Sequence, residues 1–367
     1  MMVWALQSKF VVSILLISFL GSCSNSSEKK TINFWHFWSE PTQKAALQHL
    51  VDTYARSHPD VDIRLTELAW SDGKAKLQLA FNADYQPDII HLGMDWFAEF
   101  NNAQIFTPIQ APVQYTPQGA LWVINARALV QWTGSSSQYP WGLCANDNHN
   151  VLKRTLPILW LAGAPKFYSQ LPISAGMDSS LVSALWFVRG LVIRGAILEQ
   201  GRALDTRFLQ GQIGKMYTGA WMLDLATSQG VHDFDVVPSR SILNGDVLTV
   251  SKKCKHFAEA QSFVTWLTSY QQSKQFCLAV SDAGIPASPE VFEDSIFSST
   301  AWQKGFLETI RLSRPLPSSP LLLRIEPVVE QLIERCYQAS SADEVSRYVL
   351  AARSEVQKIE DDSAYQL

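Results

Sequence analysis

Tryptophan side chains near predicted strand ends are the residues in this sequence best suited to binding chemistry. The chain contains 13 Trp, 10 Tyr and 18 Phe, and a tryptophan ring offers a flat apolar face on which the C–H face of a sugar can stack. The candidates are Trp35, Trp38, Trp70, Trp96, Trp122 and Trp221. Core packing is the alternative for about half of them, including Trp35 if strand alternation turns it away from Trp38. Trp38 and Trp221 are the strongest candidates, because each lies at a predicted turn.

Polar residues near these tryptophans supply partners for ligand hydroxyl groups. They are Ser39, Glu40, Asp95 and Asn125, with Arg127 as a weaker candidate. The carboxylates of Glu40 and Asp95 can accept hydroxyl hydrogen bonds, but an acidic residue at a helix N-terminus also complements the helix dipole, and both interpretations stay open. Gly219 frees the turn that precedes Trp221, so we include it in the candidate site.

No motif in the sequence predicts catalysis. The seven His form no HxH or HExxH pattern, and there is no GxSxG turn, no phosphate-binding Walker loop and no GxGxxG after a strand. The pairs Asp233/Asp235 and Asp361/Asp362 could act as general acid and base, but a strand edge and a solvated terminus are the simpler interpretations. We therefore expect no enzyme, no cofactor and no metal site.

The first half of the chain alternates between strand and helix patterns. Residues 31–38 (TINFWHFW) are β-branched and aromatic, and Ser39, Glu40 and Pro41 then give a helix start. Apolar residues at 47, 50, 51 and 54 predict an amphipathic helix, and strands over 61–66 and 87–92 with a helix near 77–81 complete a β-α-β-α-β order. Such units form parallel sheets whose ligands bind beyond the carboxyl ends of the strands.

The second half contains one long apolar segment and a glycine-bounded strand. Residues 180–199 are almost continuously apolar, but Arg189 and Arg194 favour a buried helix over a membrane span. The segment 208–222 (FLQGQIGKMYTGAWM) predicts a helix end, a strand over 213–217 and a second glycine turn that begins a helix at Trp221. A strand is predicted over 233–238, and helices are predicted at 257–267 and around 328–333.

Length, charge and cysteine usage exclude several classes of protein. A chain of 367 residues predicts two domains, or one domain with large insertions. The net charge of −4 gives no electrostatic reason to expect binding to nucleic acid or acidic lipid. Apart from Cys23, the cysteines are Cys144, Cys254, Cys277 and Cys336. They form no CxxC motif, so we expect buried free thiols, with Cys254 and Cys277 as the one pair to check for a disulfide.

Residues 1–22 have the features of a secretory signal peptide. Lys9 is the only charged side chain before Glu28, and the apolar run over 10–20 is too short to span a bilayer as a mature helix. The run closes on LGSC, which resembles the bacterial lipoprotein signal, in which the thiol of the cysteine (here Cys23) accepts diacylglycerol. The alternative is an ordinary signal peptide with an incidental Cys23. We expect a lipid anchor on Cys23 and a polar tether over 23–30.

Several segments together resemble one family. FWHFW, PDIIHLGMDWF, LWVINARAL, FLQGQIGKMYTGAWM, DFDVVP, FAEAQSFVTWL and AGIPAS occur in the order seen in bacterial extracellular solute-binding proteins of the maltose-binding, sugar-transport type. The resemblance implies an α/β fold of the type II periplasmic-binding class, with two lobes that are each a mainly parallel sheet flanked by helices. It implies hinges near 112, 246 and 298, lobe 1 over 31–112 plus 247–298, and lobe 2 over 113–246 plus 299–367.

The same resemblance implies a function. A monomeric substrate-binding lipoprotein in the periplasm, or on the outer face of the cytoplasmic membrane, would capture a sugar or oligosaccharide and deliver it to the permease subunits of an ABC importer. By position, Trp38, Ser39, Asp95, Asn125 and Trp221 match ligand-contacting places in the family. Leu92 falls where some members have a stacking aromatic, and the Ser-rich link at 135–137 replaces a longer helical stretch. The first departure counts against maltodextrin itself, and the second implies that part of the second lobe is abbreviated together with its sugar subsites. A polyamine or other small solute, or a carbohydrate-active enzyme, remains an alternative.

Overall fold

The computed structural model describes residues 29–69, 72–83, 85–102, 104–280, 282–317 and 319–364. The strands are β1 (Lys30–His36), β2 (Val61–Glu67), β3 (Ile89–Gly93), β4 (Gln114–Thr116), β5 (Gly119–Ala126), β6 (Ala128–Trp132), β7 (Gly142–Cys144), β8 (Ile197–Glu199), β9 (Lys215–Thr218), β10 (Phe234–Val237), β11 (Ile242–Val250), β12 (Ile285–Pro286) and β13 (Arg314–Pro315).

The α-helices alternate with these strands in the first third of the chain and dominate the last third. They are α1 (Pro41–Ser57), α2 (Gly73–Asn82), α3 (Met94–Asn102), α4 (Asn150–Leu161), α5 (Ser179–Ile193), α6 (Gly201–Leu209), α7 (Trp221–Gln229), α8 (Phe257–Leu267), α9 (Tyr270–Ala279), α10 (Ser295–Ser298), α11 (Ala301–Leu312), α12 (Leu322–Tyr337) and α13 (Ala342–Ala364). Among the described residues, no helix has both the length and the apolarity needed to cross a bilayer.

The larger sheet has the strand order β12-β5-β11-β3-β1-β2, with β13 added beside β11 and β4 beside β5. Strand β1 pairs in parallel with β2 and β3, as the β-α-β-α-β pattern predicts. Strand β11 runs antiparallel to both β3 and β5. The alternation of branched and aromatic side chains in β1 places Ile32 and Phe34 in the core, while Trp35 on the opposite face is half-buried against Tyr85.

The smaller sheet differs from the expected parallel arrangement. Its order is β10-β6-β9, and both pairings are antiparallel. Strand β6 begins two residues after β5 ends, so the chain enters the second sheet directly, without the helical crossover that joins parallel strands. The expectation of mainly parallel sheets therefore holds for β2, β1 and β3 and for the separate pair β7 and β8, which is parallel, but is wrong for the three-stranded sheet.

Two hydrophobic cores divide the molecule. The first core surrounds the larger sheet and includes side chains from β1, β3, β5, α1, α8 and α9. The second core surrounds the smaller sheet and includes side chains from α4, α5, α6, α12 and α13. Helix α5 confirms that the apolar run near residues 180–193 is a buried helix, because Leu181, Leu185 and Val188 lie in the second core.

The lobe boundaries remain a prediction, and the division of side chains between the two cores indicates which of these boundaries need adjustment. They place residues 113–126 in lobe 2, yet β5 pairs with β11 and its side chains, including Trp122, lie in the first core. The chain passes between the cores near Arg127, near Ile242, and within α11 and the segment that follows it. The first crossing is therefore about 15 residues later than the expected hinge near 112.

The four cysteines in the described part of the chain are free thiols. Cys144, Cys277 and Cys336 are buried and Cys254 is partly buried. Burial raises the pKa of the Cys144 and Cys336 thiols to about 12, so both are neutral at physiological pH. The pair Cys254 and Cys277 forms no disulfide in the structure. Cys23, the predicted lipidation residue, lies outside the described residues.

Candidate functional site

An open cleft of about 660 Å³ lies between the two cores. The first wall of the cleft consists of residues from the β1–α1 turn, the start of α3, β5, β11 and the segment before β12. The second wall consists of Arg127, which lies between β5 and β6, and of residues from the segment before α4, from α4, from α6 and from the start of α7. Seven of the predicted site residues line the cleft: Trp38, Ser39, Glu40, Asp95, Trp96, Asn125 and Trp221. Gly219 lies directly behind Trp221, and Trp70 lies outside the described residues.

Trp38 reaches the cleft with its edge and is otherwise part of the first core. Strand β1 ends at His36 and α1 begins at Pro41, so Trp38 lies in the turn between them. Its indole stacks on His91, with ring centroids 5.7 Å apart and planes within 4°, and packs edge-on against Trp122 and Phe276. Only 7% of Trp38 is exposed. Core packing, the alternative interpretation of this tryptophan, therefore accounts for most of its surface.

Trp96 is similarly constrained by the first core. It packs edge-on against Phe37 at 5.3 Å and is 9% exposed. Trp35 and Trp122 do not line the cleft, and Trp122 is fully buried in β5. Leu92 is also fully buried, while the next residue, Gly93, lines the cleft. The first wall thus offers little aromatic surface to a ligand, because Trp38 and Trp96 are used mainly for internal packing.

Glu40 immediately precedes α1 and takes part in its N-terminal capping. The side-chain Oε1 of Gln43 accepts a hydrogen bond from the Glu40 backbone N–H at 3.0 Å, and the Glu40 carboxylate in turn accepts from the backbone N–H of Gln43. The amide of Gln43 also donates to Asp282 at 3.1 Å. Glu40 therefore stabilises the helix start while remaining exposed at the cleft.

Asp95 joins the two walls of the cleft. Its Oδ2 accepts a hydrogen bond at 2.9 Å from Nζ of Lys153 in α4, and its Oδ1 accepts from the Trp96 backbone N–H at 3.1 Å. Burial acts to raise the pKa of Asp95, but the charge and hydrogen bond of Lys153 outweigh burial, so the pKa lies below its usual value. Asp95, which was expected to accept hydrogen bonds from ligand hydroxyl groups, thus forms an ion pair that links α3 to α4.

Trp221 lies at the start of α7, as the Gly219 turn predicts, and polar contacts hold its ring. Its Nε1 donates to Oδ2 of Asp205 at 3.0 Å. The Arg127 guanidinium lies over the ring with its Cζ 4.5 Å from the centroid. A Cβ at Gly219 would come within 2.0 Å of the ring. These contacts occupy indole surface that a stacked sugar would also use, and stacking on Trp221 remains a prediction.

Asn125 positions the turn that carries Trp221. It is the penultimate residue of β5, and its Oδ1 accepts a hydrogen bond from the backbone N–H of Ala220 at 3.1 Å. The bond links the larger sheet to the N-terminus of α7. Asn125 also lines the cleft, so this residue can hold the Trp221 turn in position and contact a ligand at the same time.

Sequence reasoning missed the buried ion pair beneath Trp221. Arg154 in α4 makes two hydrogen bonds of 2.9 Å to the carboxylate of Asp205 in α6, and their side chains are only 4% and 2% exposed. Thr218 donates to the same carboxylate at 2.9 Å. A charged pair, Lys153 and Arg154, in the mostly apolar segment 151–160 was the only signal, because the partner of Arg154 lies 51 residues further along the chain.

Two arginines of the second wall lack such partners. Within the described ranges, the side chains of Arg127 and Arg202 make no ion pair and no hydrogen bond, and Nε of Arg127 is buried. Burial, together with the charge of Arg154, lowers the pKa of Arg127 to about 9, which still leaves it cationic at neutral pH. The part of the chain described contains no cluster of three or more metal-ligating side chains.

The fold is that of two-lobe solute-binding proteins. The sugar-binding protein MalE from Xanthomonas citri has a TM-score of 0.76 at 15% identity, over 91% of this chain and 98% of that chain. A solute-binding protein from Thermotoga lettingae bound with α-D-tagatose has a TM-score of 0.73 at 14% identity, over 90% and 100%. UgpB from Mycobacterium tuberculosis in complex with glycerophosphocholine has a TM-score of 0.73 at 14% identity, over 91% and 99%.

Family profiles identify the chain directly from its sequence. Two profiles described as bacterial extracellular solute-binding proteins match residues 38–139 and 157–304. The chain belongs to the bacterial extracellular solute-binding proteins, which confirms the resemblance inferred from the ordered segments. No curated protein matches the sequence.

Proposed function

We propose that this protein captures a sugar or oligosaccharide in the cleft between its two cores and delivers it to an ABC importer. The observation that carries the proposal is the lining of the cleft by Trp side chains and amides from both cores and by carboxylates from the first. Sugar rings need this combination of apolar edges and hydroxyl partners. The family membership and the sugar-binding structural neighbours support the same ligand class.

Binding in such a cleft would shift the balance between open and closed arrangements. A ligand that touches both walls stabilises the arrangement in which the walls are close. We infer that the crossings near Arg127 and Ile242 and within α11 act as hinges, because side chains change from one core to the other at these places. Lobe 1 would then extend through β5, and lobe 2 would begin at β6.

We infer that the protein binds without catalysis. The cleft carboxylates have structural partners: Asp95 pairs with Lys153, Asp246 lies 3.2 Å from His91, and Asp282 accepts from Gln43. A glycosidase instead needs one free carboxylic acid and one free carboxylate facing each other across the scissile bond. Incubating the protein with each bound sugar and analysing the products tests this part. Turnover that disappears when one cleft acid is mutated would contradict it.

Polyamine binding is the second candidate ligand class, and the charges of the second wall count against it. Arg127 and Arg202 line the cleft without acidic partners, so a cation would meet two positive groups near Trp221. The acidic groups of the first wall could hold a cation only if it stayed clear of this region. We therefore place polyamines below sugars.

The lipid anchor is the remaining part of the proposal. The LGSC sequence before the polar segment 24–30 supports acylation of Cys23, which would hold the protein at the membrane close to an importer. Mass spectrometry of the membrane fraction should detect an acylated Cys23. A Cys23→Ala protein that is processed and anchored like the wild type would contradict the anchor but not the ligand.

A thermal-shift screen tests the ligand class. Sugars, polyamines and oligopeptides would be compared at equal ionic strength, because a ligand at 100 times its dissociation constant adds about 2.7 kcal/mol to the free energy of unfolding. We expect stabilisation by at least one sugar and none by polyamines. Stabilisation by a polyamine alone would replace the proposal with the second candidate.

A further inference from the structure

The two walls of the cleft carry opposite charge. The first wall contributes Glu40, Asp246 and Asp282. The second wall contributes Arg127 and Arg202, while its Lys153 is neutralised by Asp95 across the cleft. His149 also lies on the second wall, where its ring Nδ1 is 2.9 Å from Glu326. The charges left without an ion-pair partner on the second wall are therefore the two guanidinium groups.

Both of these guanidinium groups lie close to the same indole. The Cζ atoms of Arg127 and Arg202 are 4.5 Å and 5.8 Å from the centroid of the Trp221 ring. The nearest candidate counter-ion, Asp205, already binds Arg154 through both oxygens and also accepts from Thr218 and Trp221. Its acceptor capacity is largely used, so it does not satisfy Arg127 or Arg202.

Arg127 is the more informative of the two arginines. Its Nε is buried and makes no hydrogen bond within the described residues. An unsatisfied polar group withdrawn from water is unfavourable, and the penalty is larger for a charged group. Stacking on Trp221 does not supply a hydrogen-bond acceptor. The structure thus holds a cation in the cleft that an acceptor from outside the chain would satisfy.

The contact between Arg240 and Trp160 is an example of arginine–tryptophan stacking outside the cleft. Arg240 lies over Trp160 with its Cζ 4.8 Å from the centroid, but Arg240 is exposed to water and does not line the cleft. Water can satisfy its guanidinium. The distinction between the two contacts is therefore burial and position, and Arg240 serves as the matched control for Arg127.

We propose that the natural ligand is a sugar that carries an anionic group, either a carboxylate or a phosphate, and that Arg127 and Arg202 bind this group beside Trp221. The inference rests on the proposed sugar-binding function and names its ligand class more closely. Guanidinium groups match carboxylate and phosphate oxygens with paired hydrogen bonds. The hydroxyl groups of the same ligand would face the carboxylates of the first wall.

Matched neutral and acidic sugars test the proposal. Isothermal titration would compare glucose with glucuronate and with glucose 1-phosphate, galactose with galacturonate, and inorganic phosphate alone. We expect the acidic member of at least one pair to bind at least tenfold more tightly than its neutral parent, a difference of about 1.4 kcal/mol. Increasing salt concentration should reduce this preference.

Variants then assign the preference to the arginines. Arg127→Gln and Arg202→Gln should each weaken binding of the acidic sugar at least tenfold more than binding of its neutral parent, whereas Arg240→Gln should change neither. Arg202 is exposed, so its variant keeps the test valid if Arg127→Gln fails to fold. Arginine variants that weaken acidic and neutral sugars equally would overturn the proposal.

The binding results separate this inference from the proposed function. Neutral sugars that bind as tightly as their acidic counterparts would overturn the anionic ligand and leave sugar binding intact. Inorganic phosphate that binds in an Arg127-dependent way, with no sugar binding at all, would support the anion site and overturn the sugar ligand. Absence of binding by every probe would overturn both.

Discussion

Trp38 and Trp221 occupy equivalent places in the sequence pattern and different environments in the structure. Each lies between a strand and the following helix or at that helix's first residue, and each lines the cleft. Trp38 is fixed by aromatic packing against His91, Trp122 and Phe276. Trp221 is fixed by a hydrogen bond to Asp205 and by arginine side chains. A turn position thus predicts access to the cleft, while segments distant in the chain decide what the ring can do.

The difference extends to the walls that carry the two rings. The first wall is preorganised by burial of apolar and aromatic surface, and the second by charged groups held in a network. Burial and ion pairing respond differently to mutation and to pH. Mutations and changes of pH should therefore affect the two walls in different ways.

Asp205→Ala should produce the largest effect. Removing one member of a buried ion pair leaves Arg154 charged without a partner, and Thr218 and Trp221 lose their acceptor. We expect a loss of about 4 to 5 kcal/mol in the free energy of unfolding, measured by urea denaturation. Asp205→Asn, which keeps the shape, is the control for charge. A loss below about 1 kcal/mol for the alanine variant would show that the network does not hold the second wall.

Trp38→Ala should destabilise the first core by roughly 3 to 5 kcal/mol, because it empties a large buried site. Trp35→Ala, on the half-buried face of β1, is the matched control and should cost less. Chemical denaturation of both variants measures the difference. Equal losses would show that the deeper burial of Trp38 adds no stability, and a Trp38→Ala protein with normal stability and impaired binding would place the ring in the ligand site instead of the core.

Lowering the pH should destabilise the first core through His36. Burial and the neighbouring His91 lower the pKa of His36 to about 4 from an ordinary value near 6.5. As the pH falls from 6.5 to 4, the unfolded state binds a proton that the folded state does not. The free energy of unfolding should fall by about 3 kcal/mol on this account.

Denaturation of the wild type and of His36→Gln at pH 7 and pH 4 measures this contribution as the difference between their pH dependences. His149 in the second wall supplies the opposite case, because its hydrogen bond to Glu326 raises its pKa. The stabilising contribution of His149 is present below pH 6.5 and is lost as the pH rises through the raised value. Identical pH dependences of the wild type and His36→Gln would contradict the predicted contribution of His36.

Trp221→Ala should act mainly on binding. Covering half of a large aromatic surface with sugar is worth roughly 2 to 3 kcal/mol, so the affinity should fall roughly 30- to 150-fold. The lost hydrogen bond to Asp205 should lower the free energy of unfolding by about 1.5 kcal/mol, the lower end of the range for a bond to a charged group, because the ring is only partly buried. Trp132→Ala is the control, because this half-buried indole also donates a hydrogen bond but lies outside the cleft. Unchanged affinity in a folded Trp221→Ala protein would remove the ring from the site.

Local structure could be predicted well from the sequence, because the spacing of apolar residues and the positions of Gly, Pro and helix-capping residues are local signals. The β1–α1–β2–α2–β3 order followed from apolar spacing, and the start of α7 at Trp221 followed from the turn at Gly219. The pairing of Arg154 with Asp205 had no local signal, since it joins α4 to α6 through the fold. The membership of β5 in the larger sheet was missed for the same reason, because strand partners are chosen by tertiary packing.

The close approach of Gly219 to Trp221 also sets an evolutionary constraint. Every amino acid other than glycine would place a Cβ about 2.0 Å from Cζ3 of the indole, and the ring cannot swing aside without losing its bond to Asp205. No substitution at Gly219 is therefore neutral, since even a change to alanine displaces the ring. A lineage that changes ligand can vary the residues around the ring, but it can replace this glycine only by giving up the present orientation of Trp221.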